Sequence, residues 1–398
     1  MYIQRVKYKD IEKIPKLQIN KSFKQEFQGS IPAPFIGRFG YPKVNIGILS
    51  PQINDNDTNY DSPKGWSRSN ADIGEIATLR YGLVNSRLKW NIKDANSPQR
   101  FLSICKEAGM ASKPIEAEVA LKKIPTLNFK QEKEIIPWGP ASEIKTASIT
   151  SNVKVDSRIE RVVSDTDLKA APAIASLYQK GFEEQALTKL ISVGNVGLGR
   201  NRRLVPTRWS ITAVDDTIGK NLIAEIKTFQ QGDYKAYFGG GWGNYYLLLF
   251  FPEIWSYELF ETYLDRQVNP WSQKGYMYST DYESFEGRKN YAEETAGGYY
   301  ACRIAVLGKM KENKRQNSCL ALRFITPEYN IPLGVWVCRE AARKSLQARP
   351  TSFSSEESMI NYAKQFIQLK FGFDINKLIK NSKLLKQKKE QKNLKQYF

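Results

Sequence analysis

Four aspartates stand in two close pairs in an otherwise basic chain, Asp165 with Asp167 and Asp215 with Asp216. If two or three of these carboxylates meet in space, they could hold a divalent cation such as Mg²⁺ or Mn²⁺, because such cations prefer oxygen ligands. A cation held in this way could activate water for phosphodiester chemistry. The pairs therefore suggest candidate catalytic residues and leave open whether the chain is an enzyme.

Structural roles for the same acidic residues compete with a metal site. The tripeptides DLK at 167–169 and EIK at 225–227 each match the acid-x-lysine half of a common nuclease signature, but matches this short are expected by chance in a chain with 25% charged residues. Asp165 or Thr166 could instead cap the helix that follows, and Asp216 could cap the next one. Helix caps and pairing with arginines are the structural alternative.

The chain contains no histidine. This excludes Ser-His-Asp and Cys-His nucleophile systems, histidine-ligated zinc and imidazole general bases. The four cysteines form no CxxC pair, so we predict buried free thiols, without a disulfide framework or a zinc site. Catalysis would have to use carboxylates, with or without a metal, or Lys, Tyr, Cys or Arg.

Four arginines fall within nine positions, and a tryptophan follows the last of them. The set is Arg200, Arg202, Arg203, Arg208 and Trp209. Guanidinium groups on a loop constrained by glycine and proline suit bidentate phosphate contacts, and an adjacent indole could stack on an exposed base. We predict a DNA-binding loop, and the structural alternative is a solvated basic loop beside a core tryptophan.

A glycine- and proline-rich stretch, FIGRFGYPKVNIG at 35–47, carries Arg38 and Lys43. Backbone without a Cβ can approach a ligand closely, so this stretch is a second candidate for phosphate contacts. Turns that need a positive φ explain the same glycines. The stretch is not a P-loop, because GxxxxGK[ST] is absent.

Residues 391–398, QKNLKQYF, combine a glutamine with a leucine and two aromatics at fixed spacing. One helical or 3₁₀ turn would bring Leu394, Tyr397 and Phe398 to one side, as an apolar plug for a groove. The pattern resembles the clamp-binding box in partners of the proliferating-cell-nuclear-antigen type of sliding clamp, where the position of Gln391 hydrogen-bonds in a small polar pocket. The alternative is a tail packed on its own core. The lysine-rich residues 377–392 are predicted to form a flexible or nascently helical tether.

The charge of the whole chain favours a polyanionic partner. The net charge is +19, and residues 376–398 hold eight lysines against one acidic residue. Nucleic acid is the first candidate and an anionic membrane surface the second. No segment resembles a signal peptide, and the longest apolar run, at 245–251, is too short to span a bilayer. We expect a cytoplasmic, nucleoid-associated protein that binds DNA, of unknown oligomeric state.

The elements that position these residues indicate a mixed α+β fold of undetermined strand order. Apolar periodicity predicts helices at 71–87, 99–108, 167–191, 218–229, 299–310, 334–347 and 356–369, and strands at 115–121, 245–251 and 319–325. Residues 35–47 are predicted to form loops and short strands, and 123–152 to be loop-like. The polar, tyrosine-rich residues 267–294 are the best candidate for a boundary or a long surface loop.

Five motifs together resemble the archaeal Nre DNA repair family. They are FIGRFGYPKVNIG at 35–47, VVSDTDLKA at 162–170, RRLVPTRWSITAVDDT at 202–217, GGYYACRIAVL at 297–307 and IPLGVWVCRE at 331–340. The resemblance implies a role in DNA damage repair with recruitment by the sliding clamp, and it implies no established reaction. Many members begin with a four-cysteine zinc motif, but no cysteine precedes Cys105 here, so no zinc role carries over.

These observations lead to a predicted organisation and function. A basic segment at 1–30 precedes an Nre N-terminal-type domain at 31–285, a C-terminal-type domain at 286–375 and the lysine-rich tail at 376–398. The leading hypothesis is a clamp-recruited DNA repair factor that binds DNA through basic loops. The alternatives are a metal-dependent repair nuclease or another DNA- or nucleotide-modifying enzyme that uses the aspartates, and a non-enzymatic repair adaptor.

Overall fold

The computed structural model describes residues 22–54, 58–126, 135–264 and 278–394, which form two compact units. The N-terminal unit comprises residues 22–218 together with Ile331–Gly334. The C-terminal unit comprises Gly219–Asn330 and residues 335–394. Each unit contains a six-stranded mixed sheet and helices, which confirms the predicted α+β class. The predicted boundaries at 30, 285 and 375 stay predictions.

The N-terminal unit is built on one sheet of mixed direction. Its strands are β1 (Glu26–Ile31), β2 (Ala33–Ile36), β3 (Lys43–Ser50), β4 (Val84–Asn91), β5 (Ile115–Leu121) and β6 (Ala141–Ile149). The strand order is β1-β5-β6-β4-β3-β2, and all neighbours are antiparallel except the parallel pair β4 and β6. Strand β5 has the predicted bounds, because alternate apolar side chains face the core.

Seven helices accompany this sheet in the described residues. They are α1 (Pro63–Ser69), α2 (Ile73–Tyr81), α3 (Arg100–Met110), α4 (Ser157–Ser164), α5 (Ala170–Gln179), α6 (Glu184–Ser192) and α7 (Thr207–Ile226), of which α7 belongs to this unit up to Ile218. Short 3₁₀ turns occupy Thr58–Asp61, Ile92–Asp94 and Gly199–Asn201. The apolar face of α3 packs on the sheet in a shared core.

The C-terminal unit has a second mixed sheet with helices on both faces. Its strands are β7 (Tyr234–Gly241), β8 (Asn244–Phe251), β9 (Ser256–Tyr263), β10 (Tyr278–Glu283), β11 (Ser318–Ile325) and β12 (Thr351–Phe353), in the order β10-β9-β11-β8-β7-β12. Its further helices are α8 (Ala296–Asn313), α9 (Trp336–Gln347), α10 (Glu356–Phe371), α11 (Asn376–Asn381) and α12 (Lys383–Leu394). Among these six strands, only β9 and β11 pair in parallel.

Alternation along the central strands separates the two faces of this sheet. Leu320, Leu322 and Phe324 of β11 share a core with residues of α10, α11 and α12. The opposite face carries Tyr257, whose ring lies 5.0 Å from that of Tyr299 on α8. Both faces are therefore covered, which explains why β8 and β11 are buried along nearly their whole length.

Several sequence predictions need correction. The helix predicted at 71–87 ends at Tyr81, and the chain then enters β4. The helix predicted at 167–191 is broken between α5 and α6, where Gly181 takes a φ of +91°. Strand β6 lies in the stretch predicted to be loop-like, and α7 begins well before residue 218. Strand β10 lies within the polar 267–294 passage. No helix in the described ranges is long and apolar enough to cross a membrane.

Candidate nucleic-acid interface

The two stretches predicted to contact DNA meet on the N-terminal unit. The backbone N–H of Ile36, at the end of β2, donates to the Thr207 hydroxyl at the start of α7 at 3.0 Å. These two residues are 171 positions apart in the sequence. The rings of Tyr41 and Trp209 lie 5.4 Å apart, tilted by 54°. The turn between β2 and β3 therefore packs beside the first turn of α7.

Glycine shapes the turn between β2 and β3. Gly40 takes a φ of +86°, and a Cβ there would come within 2.7 Å of the Lys43 carbonyl oxygen. The turn closes through the Lys43 N–H, which donates to the Gly40 carbonyl at 2.9 Å. Gly37 N–H donates to the Asn45 carbonyl at 2.8 Å. The need for a positive φ thus accounts for Gly40, and it is compatible with a role for the charged residues beside it.

Three large aromatic side chains are exposed around this turn. The exposed fractions are 66% for Phe39, 52% for Tyr41 and 45% for Trp209. The guanidinium of Arg38 lies 4.6 Å from the centre of the Phe39 ring, and Lys43 is exposed. Trp209 is therefore not the core tryptophan of the structural alternative. Sequence reasoning missed Phe39 and Tyr41, although their position between Arg38 and Lys43 was a usable signal.

The four arginines of the predicted loop differ in their surroundings. Arg200 and Arg203 are exposed, and Arg208 is half-buried on the first turn of α7. Arg202 instead donates to the backbone carbonyls of Gly197 at 2.9 Å, Val163 at 2.7 Å and Asp165 at 3.2 Å. Partial burial lowers the pKa of Arg202, and the nearby Asp165 carboxylate opposes that effect. Arg202 thus serves the fold of the loop.

Backbone hydrogen bonds connect the arginine loop to the turn. Ile92 N–H donates to the Pro42 carbonyl at 3.0 Å, and the Ile92 carbonyl accepts from Leu204 N–H at 3.0 Å. The Asn96 side chain donates to the Gly199 carbonyl at 2.9 Å. The backbones of the turn, the loop and the start of α7 are therefore neighbours, and we treat the charged and aromatic side chains that they carry as one candidate surface. We call it the hairpin–α7 surface, and its members are Arg38, Phe39, Tyr41, Lys43, Arg200, Arg203, Arg208 and Trp209.

The aspartate pairs occupy different settings. The exposed Asp165 carboxylate accepts the backbone N–H groups of Asp167 and Leu168, each at 3.0 Å, in the turn after α4. Asp215 is buried and Asp216 half-buried, both in the middle of α7. No helix begins at Asp216, so the predicted cap there is wrong, and Asp165 caps a turn because α5 begins only at Ala170.

The proposed metal site gains no support from this geometry. All four aspartates lie in the described ranges, where no group of three or more Asp, Glu or Cys side chains is arranged to hold a metal ion. The four cysteines are buried and free, as predicted. Burial raises the pKa of the Cys302 thiol to about 12, which makes it a poor nucleophile near neutral pH.

The lysine-rich segment before the clamp-binding pattern is a docked helix. Leu384 and Leu385 of α12 are buried in the core of the C-terminal unit. The buried Lys388 ammonium lies 3.0 Å from Glu253, 3.2 Å from Glu356 and 3.6 Å from the centre of the Phe251 ring. The predicted tether was either flexible or nascently helical, and the flexible alternative is wrong up to Lys388, because Leu384, Leu385 and Lys388 of helix α12 are buried at helical spacing.

A buried glutamate holds the start of α12. The Glu258 carboxylate accepts the Lys383 and Leu384 N–H groups, each at 3.0 Å, and the Ser382 hydroxyl. Burial raises the pKa of Glu258, and these hydrogen bonds oppose the rise. Gln391 and Leu394 lie in the last turn of α12, whereas Tyr397 and Phe398 lie outside the described residues. Sequence reasoning missed Glu258, because its partners lie over 120 positions away.

Comparison with known proteins gives the affiliation of the chain. The model described as "Archaeal Nre, N-terminal" matches residues 7–271, and that described as "Archaeal Nre, C-terminal" matches residues 283–397. The chain belongs to the archaeal Nre family. No solved structure matches it.

Named relatives of the Nre family are similar over most of the chain. A protein of Haloferax volcanii called DNA repair protein NreA is 33% identical, over 81% of this chain and 78% of its own length. Archaeoglobus fulgidus has a DNA repair protein NreB, 31% identical over 94% and 92%, and a DNA repair protein NreA, 32% identical over 86% and 85%. The family resemblance inferred from the five motifs is thereby confirmed.

Proposed function

We propose that this protein is a DNA repair factor that binds DNA through the hairpin–α7 surface and is recruited by a sliding clamp through residues 391–398. Three relatives named as DNA repair proteins support the repair role. The net charge of +19 supports a nucleic-acid partner. The proposal assigns no reaction.

The observation that carries the DNA-binding part is the meeting of two independently suggested stretches. Arg38 and Lys43 come from the hairpin, and Arg200, Arg203 and Arg208 come from the loop and α7, with hydrogen bonds joining the two. A group of cations drawn from distant parts of the sequence gives this part of the surface a positive potential that attracts anions. Phosphates of a nucleic-acid backbone would supply such an anion along an extended surface.

The clamp-binding part depends on residue types in residues 391–398. Burial of Leu394, Tyr397 and Phe398 in a groove would contribute roughly 5–8 kcal/mol before the entropy of ordering is subtracted. A net affinity on the order of micromolar follows, which suits reversible recruitment. Helix α12 ends at Leu394, so the pattern begins on a docked helix.

The salt dependence of DNA binding tests the proposed surface. Changing Arg200 and Arg203 to Gln should weaken binding to all sequences and reduce the slope of log K against log salt by about one unit per lost phosphate contact. The matched control changes Arg315 and Arg349 to Gln, because both are exposed arginines of the C-terminal unit. If the control lowers the slope as much as the test variant does, the proposed surface is wrong.

A further inference from the structure

The hairpin–α7 surface brings together three of the large hydrophobic side chains that are exposed in the described residues. Phe39, Tyr41 and Trp209 are each between 45% and 66% exposed. Single exposed apolar residues are ordinary on protein surfaces, whereas a cluster of exposed rings costs hydration free energy and marks a binding site. The question is which ligand would cover these rings.

The arrangement of the rings leaves their faces accessible. The Tyr41 and Trp209 rings are tilted by 54° at 5.4 Å, so neither ring covers the other by parallel stacking. On Phe39, the Arg38 guanidinium lies 4.6 Å from the ring centre and covers one face at most. A planar group can therefore stack on each ring.

The backbone that carries the rings is held in place before any ligand binds. Four hydrogen bonds of 2.8 to 3.0 Å fix it: Gly37 to Asn45, Lys43 to Gly40, Ile36 to Thr207 and Ile92 to Pro42. A preorganised surface loses little conformational entropy on binding. The exposed rings thus belong to a built surface, joined to β3, α7 and the turn at Ile92.

The charge beside the rings selects the class of planar ligand. Arg38 and Lys43 flank Phe39 and Tyr41 in the sequence, and Arg208 precedes Trp209. Aromatic faces next to cations suit a chain that alternates planar bases with phosphates. In a duplex the base faces are stacked on one another, so only unpaired nucleotides present them.

We propose that the hairpin–α7 surface binds unpaired nucleotides, with bases stacked on Phe39, Tyr41 and Trp209 and phosphates on the neighbouring cations. This inference rests on the proposed function and names its substrate class: single-stranded DNA, or the unpaired part of a gap, flap or bubble. Any base has a face to stack, so the binding is tolerant of sequence.

The test compares three DNA probes with the full chain in fluorescence anisotropy at one salt concentration. The probes are a single strand of about 15 nucleotides, near the upper site size of known single-strand-binding domains, the same strand with abasic sites in place of all its bases, and the blunt duplex. The wild type should bind the base-bearing strand at least about tenfold more tightly than the abasic strand, because each stacked base contributes roughly 5- to 150-fold. It should also prefer the single strand to the duplex.

Ring substitutions then locate the effect. Changing Phe39, Tyr41 and Trp209 together to Leu should remove the preference for bases and leave the affinity for the abasic strand within about twofold, whereas Trp209→Phe alone should keep the preference. The control is Tyr291→Leu, because Tyr291 is 49% exposed and lies 5.3 Å from another tyrosine ring. Melting curves of all variants check that they are folded.

The outcomes separate this inference from the proposed function. A wild type that binds none of the three probes overturns both. Equal binding of the base-bearing and abasic strands overturns the stacking inference alone, as does a folded triple variant that keeps its preference. If the triple variant keeps its preference for bases, the exposed rings would instead bind a protein partner.

Discussion

Neighbouring arginines in this protein have different roles, and the sequence alone does not show which arginine has which role. Arg202 and Arg203 are adjacent, yet the guanidinium of Arg202 bonds three backbone carbonyls while Arg203 is exposed. The sequence predicted a cluster of arginines on a constrained loop and identified Trp209 beside it. Which guanidinium turns inward depends on where Val163 and Gly197 lie, and that is set by long-range packing.

A comparison of the two arginines tests this assignment. Arg202→Gln should lower the free energy of unfolding by about 1–3 kcal/mol, because three backbone carbonyls, those of Gly197 and Val163 in partly buried bonds, lose a charged donor. Arg203→Gln should change it by no more than about 0.5 kcal/mol, as exposed substitutions usually do. Urea denaturation of both variants measures the difference. Equal stabilities of the two variants would show that Arg202 has no such role in the fold.

At the scale of elements, the helices and strands that have a strong local sequence pattern were predicted. Features that depend on distant partners were not. Strand β5 alternates in the sequence and α3 has apolar helical spacing, so both were found with nearly correct bounds. Residues 377–392 were predicted to be a flexible or nascently helical tether, whereas the structure anchors the start of α12 on Glu258 of β9. No local pattern reveals a partner on another strand, and the strand order of both sheets was undetermined for the same reason.

The anchor of α12 predicts a dependence of stability on pH. Because burial raises the pKa of Glu258 in the folded state, Glu258 favours folding most below its ordinary pKa of about 4.3, and this contribution is lost as pH rises through the raised value. We expect the wild type to lose stability relative to Glu258→Gln as pH increases from the ordinary pKa of glutamate to the raised pKa of Glu258 in the folded state. Thermal melts from about pH 4 upward measure this difference.

The exposed Glu390, also on α12, supplies the control for the pH experiment. Glu390→Gln removes the same charge without removing a buried carboxylate. The stability difference between wild type and Glu390→Gln should therefore lack the trend expected for Glu258→Gln. A difference between wild type and Glu258→Gln that stays constant with pH, or that moves in favour of the wild type, would contradict a raised pKa for Glu258 in the folded protein.

For the whole molecule, the sequence predicted the class and the family, because composition and long motifs carry that information. It did not predict that the hairpin and the arginine loop share a surface, although each was found separately. Their meeting depends on the contacts of Ile92 with Pro42 and Leu204, which join three distant segments. The aspartate pairs show the reverse case, in which adjacency in sequence suggested a site that the described geometry does not support.

Recruitment by the clamp should be separable from folding. Removal of all residues after Glu390 deletes the proposed clamp-binding residues but keeps Lys388, the last buried residue described. This truncated protein should melt like the wild type and lose binding to a sliding clamp in calorimetry. Changing Tyr397 and Phe398 to Ala should have the same effect. Undiminished clamp binding by the double variant would exclude the proposed role of residues 391–398.

A second truncation serves as the control for the first. Removal of all residues after Ser382 also deletes Leu384 and Leu385, whose burial contributes roughly 1.5–3 kcal/mol each. This shorter protein should therefore melt at a lower temperature than the wild type. If it melts like the wild type, α12 is not docked on the C-terminal unit.

The central claim, that DNA lies on the hairpin–α7 surface, is tested most directly by photo-crosslinking. A single strand carrying iodouracil bases would be irradiated with the full chain, and the attached peptides identified by mass spectrometry. We predict attachment to peptides that contain Phe39, Tyr41 or Trp209, because stacked aromatic rings lie nearest to the bases. Crosslinks found only on peptides of the C-terminal unit would contradict the claim.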